Sequence, residues 1–129
     1  MSAPCRAALR STGAERGQAA VEFALALPLV VVVMLAIAQV GVSIRNDVAV
    51  ELAAREGARA AAVAANPAGA ARRAASAATR LDVSVATTST GRRVAVTVTH
   101  VDPTDIAIVG AFIGPITHRA TVTMAVEPP

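Results

Sequence analysis

The chain has 129 residues, 54% of them hydrophobic, and its 12 basic and 9 acidic side chains give a formal net charge of +3. This length fits a single small domain, and the single cysteine excludes an intrachain disulfide. The chain has no Trp and no Tyr, and of its two Phe residues Phe23 lies in a long apolar stretch, so only Phe112 is left to stack on bases. With its modest charge, this composition does not indicate a nucleic-acid partner.

An apolar stretch from Gly17 to Ile44 follows a short basic leader and contains no polar side chain between Phe23 and Ala38. A helix of this length crosses the ~30 Å hydrocarbon core of a bilayer. Since the bilayer offers no partners for backbone polar groups, the segment must be helical, with Pro28 tolerated as a kink. Three arginines precede the span and balanced charges follow it, so the positive-inside bias predicts a cytoplasmic N-terminus and an external C-terminal domain.

Glu22 is an acidic residue near the N-terminal end of this span, where burial of a carboxylate without a partner is unfavourable. The simpler alternative is an interfacial glutamate that faces headgroup water. The spacing of Gly17, Glu22 and Phe23 behind the basic leader resembles the class III signal of type IV pilins. That resemblance implies cleavage after Gly17 by a membrane prepilin peptidase, with Gln18 as the first mature residue. Glu22, one helical turn on, would then neutralise the new α-amine or that of a neighbouring subunit.

A rival interpretation is an ordinary secretory signal with a small-residue cleavage site after Ala38. The apolar stretch continues past that site, and Glu22 and Pro28 are unusual within a signal of this kind. The two interpretations predict different mature N-termini, Gln18 and Gln39.

The helical composition continues well beyond the span, which predicts one long helix. A seam of small residues on its outer half predicts a close contact with a helix of another pilin, centred on Ala53, Gly57 and Ala61. The neutral alternative is that alanine is abundant here as the best helix former. Val48 and Leu52 form a second stripe, which we expect to pack on the chain's own sheet.

The segment AAREGAR at residues 53–59 follows the GQAAVEFALALP start by about thirty residues. With these two motifs in register, the chain resembles the TadE-like family of the tight-adherence pilus system. The resemblance implies a bitopic, pseudopilin-like protein of the inner membrane that works with other pilins and pilus assembly proteins, without enzymatic activity or a cofactor. The chain departs from that pattern in having no aromatic residue at positions 40–45.

Asn66-Pro67 predicts the end of the long helix, and a second helix is expected from about Ala68 to Thr79. The apolar period then changes to two, which predicts a hairpin with its turn at Thr88–Gly91 and a third strand from Thr117 to Val126. A further apolar helix is expected over Ile106–Gly114. The predicted fold is therefore α+β and pilin-like: a long N-terminal helix, a short second helix and a small antiparallel three-stranded sheet.

His100 and His118 lie on predicted strands without neighbouring ligands, so we expect surface or rim residues and no metal site. No catalytic motif and no site for a small-molecule substrate is apparent. The expected organisation is a leader at residues 1–17, a transmembrane helix at 18–44 and an extracytoplasmic domain at 45–129. The leading hypothesis is a minor pilin or pseudopilin acting in pilus assembly, and the alternative is a secreted or signal-anchored β-rich binding module.

Overall fold

A computed structural model of the chain describes residues 11–103 and 114–126, with side-chain environments from residue 17 onward. Five elements follow one another: α1 (Ser11–Ala62), α2 (Pro67–Ala78), β1 (Ser84–Thr90), β2 (Arg93–Asp102) and β3 (Ile116–Ala125). The predicted α+β layout of a long apolar helix, a short helix and a three-stranded antiparallel sheet is confirmed.

The chain divides into two compact units, Met1–Ile37 and Ala38–Pro129. In the first unit, the described part of α1 exposes large apolar side chains such as Phe23, at 69%, and Leu25, at 75%. None of the described residues of this unit covers that surface, which is the pattern of a helix that faces lipid rather than a protein core.

The second unit is built on its central strand. The sheet order is β1-β2-β3 with both pairs antiparallel, and Val94, Val96 and Val98 of β2 are fully buried. Their alternation with half-exposed residues follows from the period of two along a strand, which directs every second side chain to the same face. This apolar face receives α1 and α2.

The hairpin turn differs from the prediction. Thr88 lies within β1, and the loop consists of Gly91 and Arg92, between the paired residues Thr90 and Arg93. Gly91 adopts a positive φ of 56°, a conformation that two-residue hairpin loops require and that residues with a Cβ rarely adopt. The β-branched threonines before it favour extended backbone, so the strand continues up to the glycine.

The break between the helices is as predicted. The Asn66 side chain accepts a hydrogen bond from the Gly69 amide at 3.0 Å, and Pro67 occupies the first turn of α2. The amides of the first helical turn have no intrahelical acceptor, and the Asn66 side chain supplies one for Gly69. Pro67 has no N–H and so needs no acceptor. The helix predicted over Ile106–Gly114 falls almost wholly outside the described residues.

Two contacts fix the direction of α1 across the sheet. The Asn46 amide nitrogen donates to the Asp102 carboxylate at 2.8 Å, near the end of β2, whereas Gly57 lies against Val96 in its middle. Helix α1 therefore runs antiparallel to β2 within the second unit. The prediction that His118 lies at the surface or rim is wrong, because the residue is only 3% exposed and its ring contacts Asp47 of α1.

Candidate processing site and helix interface

The predicted processing residues lie on the exposed surface of the first unit. A Cβ atom placed on Gly17 would have nothing within 4 Å, and the Phe23 side chain is 69% exposed. The Gln18 side-chain amide donates a hydrogen bond to the Glu22 carboxylate, with 3.1 Å between Nε2 and Oε1. Glu22 therefore has a partner one turn away in the uncleaved helix, supplied by the residue that would become the mature N-terminus.

The predicted small-residue seam is a close helix interface, but its partner is the chain itself. Ala53 and Ala61 are fully buried, and a Cβ atom on Gly57 would lie 3.2 Å from the Ala71 carbonyl oxygen and 3.2 Å from Val96 Cγ1. Small side chains allow α1 to approach both α2 and the sheet. This arrangement leaves these three residues inside the folded unit, so the expected contact with another pilin does not fit here.

The second stripe of α1 is also placed differently from the prediction. Val48 is 61% exposed and Leu52 is 49% exposed, although we expected both to pack on the sheet. They line a shallow depression together with Glu51 and Arg55, which form an ion pair across one helical turn. Helical periodicity identified two stripes but could not decide which one faced the core, because alanine and valine are both common in buried positions.

A polar cluster that the sequence analysis missed joins α1 to the sheet. His118 Nδ1 donates to Asp47 Oδ1 at 2.6 Å, and the adjacent Asn46 bonds Asp102. The His118 ring also stacks on that of His100, with 6.2 Å between centroids. The signals in the sequence were the polar run Arg45–Asp47, directly after the apolar stretch, and a histidine on the third predicted strand.

This cluster shows no metal-ligating arrangement. Among the residues that the structure describes, no group of three His, Cys, Asp or Glu side chains is close enough to hold a metal ion. His118 Nε2 is buried and has no hydrogen-bond partner within the described part of the chain, and the same is true of both amide atoms of Gln39. The cluster therefore orients elements, and its geometry offers no nucleophile activated by a base.

One described helix is long and apolar enough to cross a membrane. It covers Gly17–Ala62, its most apolar window has a mean hydropathy of 2.6, and none of that window is buried within the protein. A core helix of a globular domain would be mostly buried, whereas the most apolar window of this helix is exposed.

The comparison with known families concerns the segment that contains the apolar stretch, the Gly17 to Glu22 spacing and the AAREGAR motif. Residues 17–59 match the family model described as TadE-like protein. This part of the chain is TadE-like. The match ends within α1 and does not extend over α2 or the sheet. No curated protein and no solved structure matches the chain. The TadE-like match indicates a membrane-anchored protein associated with a tight-adherence pilus.

Proposed function

We propose that the protein is a minor pilin or pseudopilin that acts in the assembly of a tight-adherence type IV pilus. The observation that carries the proposal is the TadE-like match over residues 17–59, which begins at Gly17 and contains the Gln18 to Glu22 contact. The role is structural rather than enzymatic. The partners are a prepilin peptidase, other pilins and pilus assembly proteins.

The proposed site of action is the inner membrane, with α1 as a single span, the N-terminus in the cytoplasm and the folded domain outside. The three arginines before the span support this orientation. The stretch from Gln18 to Ala38 is enough helix for a ~30 Å core at 1.5 Å per residue. Gln39, which is only 5% exposed, then belongs to the folded unit that begins at Ala38.

The surface proposed for contact with other pilins is the exposed stripe of α1, defined by Val48 and Leu52. Its apolar side chains continue in helical spacing from Ile44, which is 58% exposed at the end of the apolar stretch. A neighbouring helix that leaves the same membrane in parallel would cover this stripe and remove it from water. The Glu51 to Arg55 pair beside it could set the register of such a contact.

A second candidate function is a secreted β-rich binding module. It is supported by the boundary of the second compact unit at Ala38, because cleavage after Ala38 would release nearly all of that unit. The buried Gln39 side chain counts against it, since cleavage there would leave a new charged α-amine on a residue that is packed inside the fold.

The deciding experiment is to identify the N-terminal residue by mass spectrometry, using protein extracted from native membranes. The pilin proposal expects Gln18, and a chain that begins at Gln39 establishes the secreted module instead. Gly17→Leu should block processing, because a peptidase subsite that fits glycine has no room for a leucine side chain. Gly17→Ala adds one methyl group and should slow processing mildly. Both variants leave the folded unit untouched, since nothing lies within 4 Å of a Cβ atom there. Equal processing of the two variants would rule out recognition of Gly17.

A further inference from the structure

One edge of the sheet has no partner strand among the described residues. The sheet order is β1-β2-β3, so β1 pairs with β2 on one side and its other side is an open edge. Edge strands present unpaired backbone N–H and C=O groups, which proteins usually protect with charged side chains, prolines or bulges. The seven residues of β1, SVATTST, include no charged residue and no proline, whereas β3 on the opposite edge carries Arg119. The edge of β1 is therefore open to pairing with a further strand.

The hydrogen bonds of the sheet identify which backbone groups of β1 point outward. The Arg92 carbonyl accepts a hydrogen bond from the Val126 amide, directly after β3, with 2.8 Å between the two atoms. Backbone direction alternates along an antiparallel strand, so every second residue of β2 bonds β3 and the others, beginning with Arg93, bond β1. The residues of β1 that lie between the partners of this second set direct their N–H and C=O groups outward. They are Val85, Thr87 and Ser89.

These outward groups are symmetric about Thr87, which makes the edge complementary to itself. If β1 of a second copy approaches in the antiparallel direction with Thr87 opposite Thr87, then Val85 of each copy lies opposite Ser89 of the other. All three outward residues then form hydrogen-bonded pairs, and each such pair exchanges two backbone hydrogen bonds. A shift of two residues in either direction would leave one of the three opposite a residue outside β1. The side chains brought together are small and uncharged, so none of them opposes the contact.

The same register brings opposite charges together at both ends of the paired strands. Asp82 lies five residues before Thr87 and Arg92 lies five residues after it. Antiparallel pairing therefore places Asp82 of each copy beside Arg92 of the other, and the two-fold symmetry makes this contact twice. Both residues are exposed, and no described side chain forms an ion pair with either of them. A shift of two residues would instead place Arg92 beside Arg80 of the other copy in one direction, and would separate Asp82 from Arg92 in the other.

We propose that β1 pairs with β1 of a second copy of this chain, antiparallel and centred on Thr87, so that the two sheets become continuous. This pairing is independent of a role in pilus assembly. Because β1 and α1 both run antiparallel to β2, the two α1 helices of the pair point in opposite directions. The pair therefore fits copies that meet from facing membranes, and not neighbours side by side in one membrane. The contact is confined to one short strand edge, so the association should be weak and reversible.

The test captures this weak pair by crosslinking the full chain in a non-ionic detergent. Cys5→Ser removes the single native cysteine. Thr87→Cys in this background places one thiol per copy at the proposed two-fold axis, where a short bis-maleimide reagent should join two copies. The matched control is Thr123→Cys, at an exposed threonine of β3, which should crosslink only at the rate of random collision. Thr87 is the less exposed of the two positions, so accessibility does not favour the expected result.

Charge reversal tests the register of the pair. Asp82→Arg and Arg92→Asp should each slow the crosslinking of Thr87→Cys chains about tenfold, because each sets like charges side by side twice. The two substitutions combined should restore crosslinking, since the charges are then exchanged. The two positions lie beyond opposite ends of β1, so the rescue cannot arise within one copy. Arg119→Asp, on the opposite edge of the sheet, should change the rate by less than about twofold.

Three results would each overturn the proposal. The first is crosslinking of Thr123→Cys as fast as that of Thr87→Cys, and the second is failure of the combined charge reversal to restore it. The third is loss of the Thr87→Cys crosslink in Leu52→Ser, because the copies would then meet through the exposed stripe of α1. An unchanged crosslink in Leu52→Ser supports strand pairing, and it leaves the separate proposal for contact with other pilins to its own test.

Discussion

His118 on β3 donates a hydrogen bond from Nδ1 to the Asp47 carboxylate on α1, with 2.6 Å between the two atoms. The contact joins residues 71 positions apart and lies where α1 has just left its apolar stretch. The histidine is 3% exposed, whereas the Asp47 side chain is 64% exposed. A carboxylate that remains largely hydrated thus satisfies a donor that is almost completely buried, which is less unfavourable than burying both groups.

We expect Asp47→Ala to destabilise the folded unit by about 1–3 kcal/mol, because it leaves the buried His118 Nδ1 without an acceptor. Chemical denaturation of the full chain in detergent, followed by circular dichroism, measures the change. Glu51→Ala is the matched control one turn away, since it removes an exposed ion pair that contributes about 0.5 kcal/mol or less. Equal effects of the two substitutions would mean that the His118 contact adds no more than a surface ion pair.

We expect Gly57→Leu to destabilise the folded unit by about 1–3 kcal/mol or more, because the new side chain would meet the Ala71 carbonyl and Val96 at once. The gain in helix propensity, about 0.8–1.0 kcal/mol at most, does not offset this overpacking. The control is Gly41→Ala, at a helical glycine where a Cβ atom has nothing within 4 Å. That variant should keep or raise the unfolding midpoint. An unchanged midpoint for Gly57→Leu would show that α1 can move away from α2.

We expect Glu22→Gln to leave cleavage after Gly17 intact and to reduce pilus number. The substitution keeps a side chain that can bond Gln18 but removes the charge that would neutralise the α-amine formed on cleavage. Electron microscopy counts the pili, and mass spectrometry of the same cells verifies the N-terminus. Wild-type pilus numbers with correct processing would indicate that Glu22 is an interfacial acid without a role in assembly.

We expect Leu52→Ser to leave the folded unit stable and to weaken contacts with other pilins, because Leu52 is 49% exposed on the stripe proposed for docking. Crosslinking in membranes, compared with the unfolding midpoint of the purified chain, separates the two effects. Val101→Ser is the matched control, since Val101 is 55% exposed on β2 and lies outside the stripe. If both variants crosslink as well as the unchanged chain, the docking surface lies elsewhere.

Local sequence patterns were enough to predict the helices and strands that the structure describes. The apolar run after Gly17 predicted one long helix, Asn66-Pro67 predicted where it would break, and the alternation of valine with threonine predicted the strands. Each of these signals is local: proline lacks an N–H, a helical turn spans about four residues, and the side chains of a strand alternate with a period of two. The hairpin turn was misplaced by a few residues because threonine and serine occur both in turns and in strands.

The sequence by itself therefore determined which of the described segments are helix and strand, and that one helix is long and apolar enough for a membrane. The processing signal at Gly17 remains a prediction from the sequence. The tertiary structure decided which face of α1 is buried. Periodicity gives the angle between the Ala53 stripe and the Leu52 stripe, but not the surface that each one meets. The close approach of Ala71 and Val96 to Gly57 leaves room only for small side chains on the buried face of α1. The contact between His118 and Asp47 likewise exists only in the folded chain. Contacts across such sequence distances depend on the packing of the whole unit, which no local pattern contains.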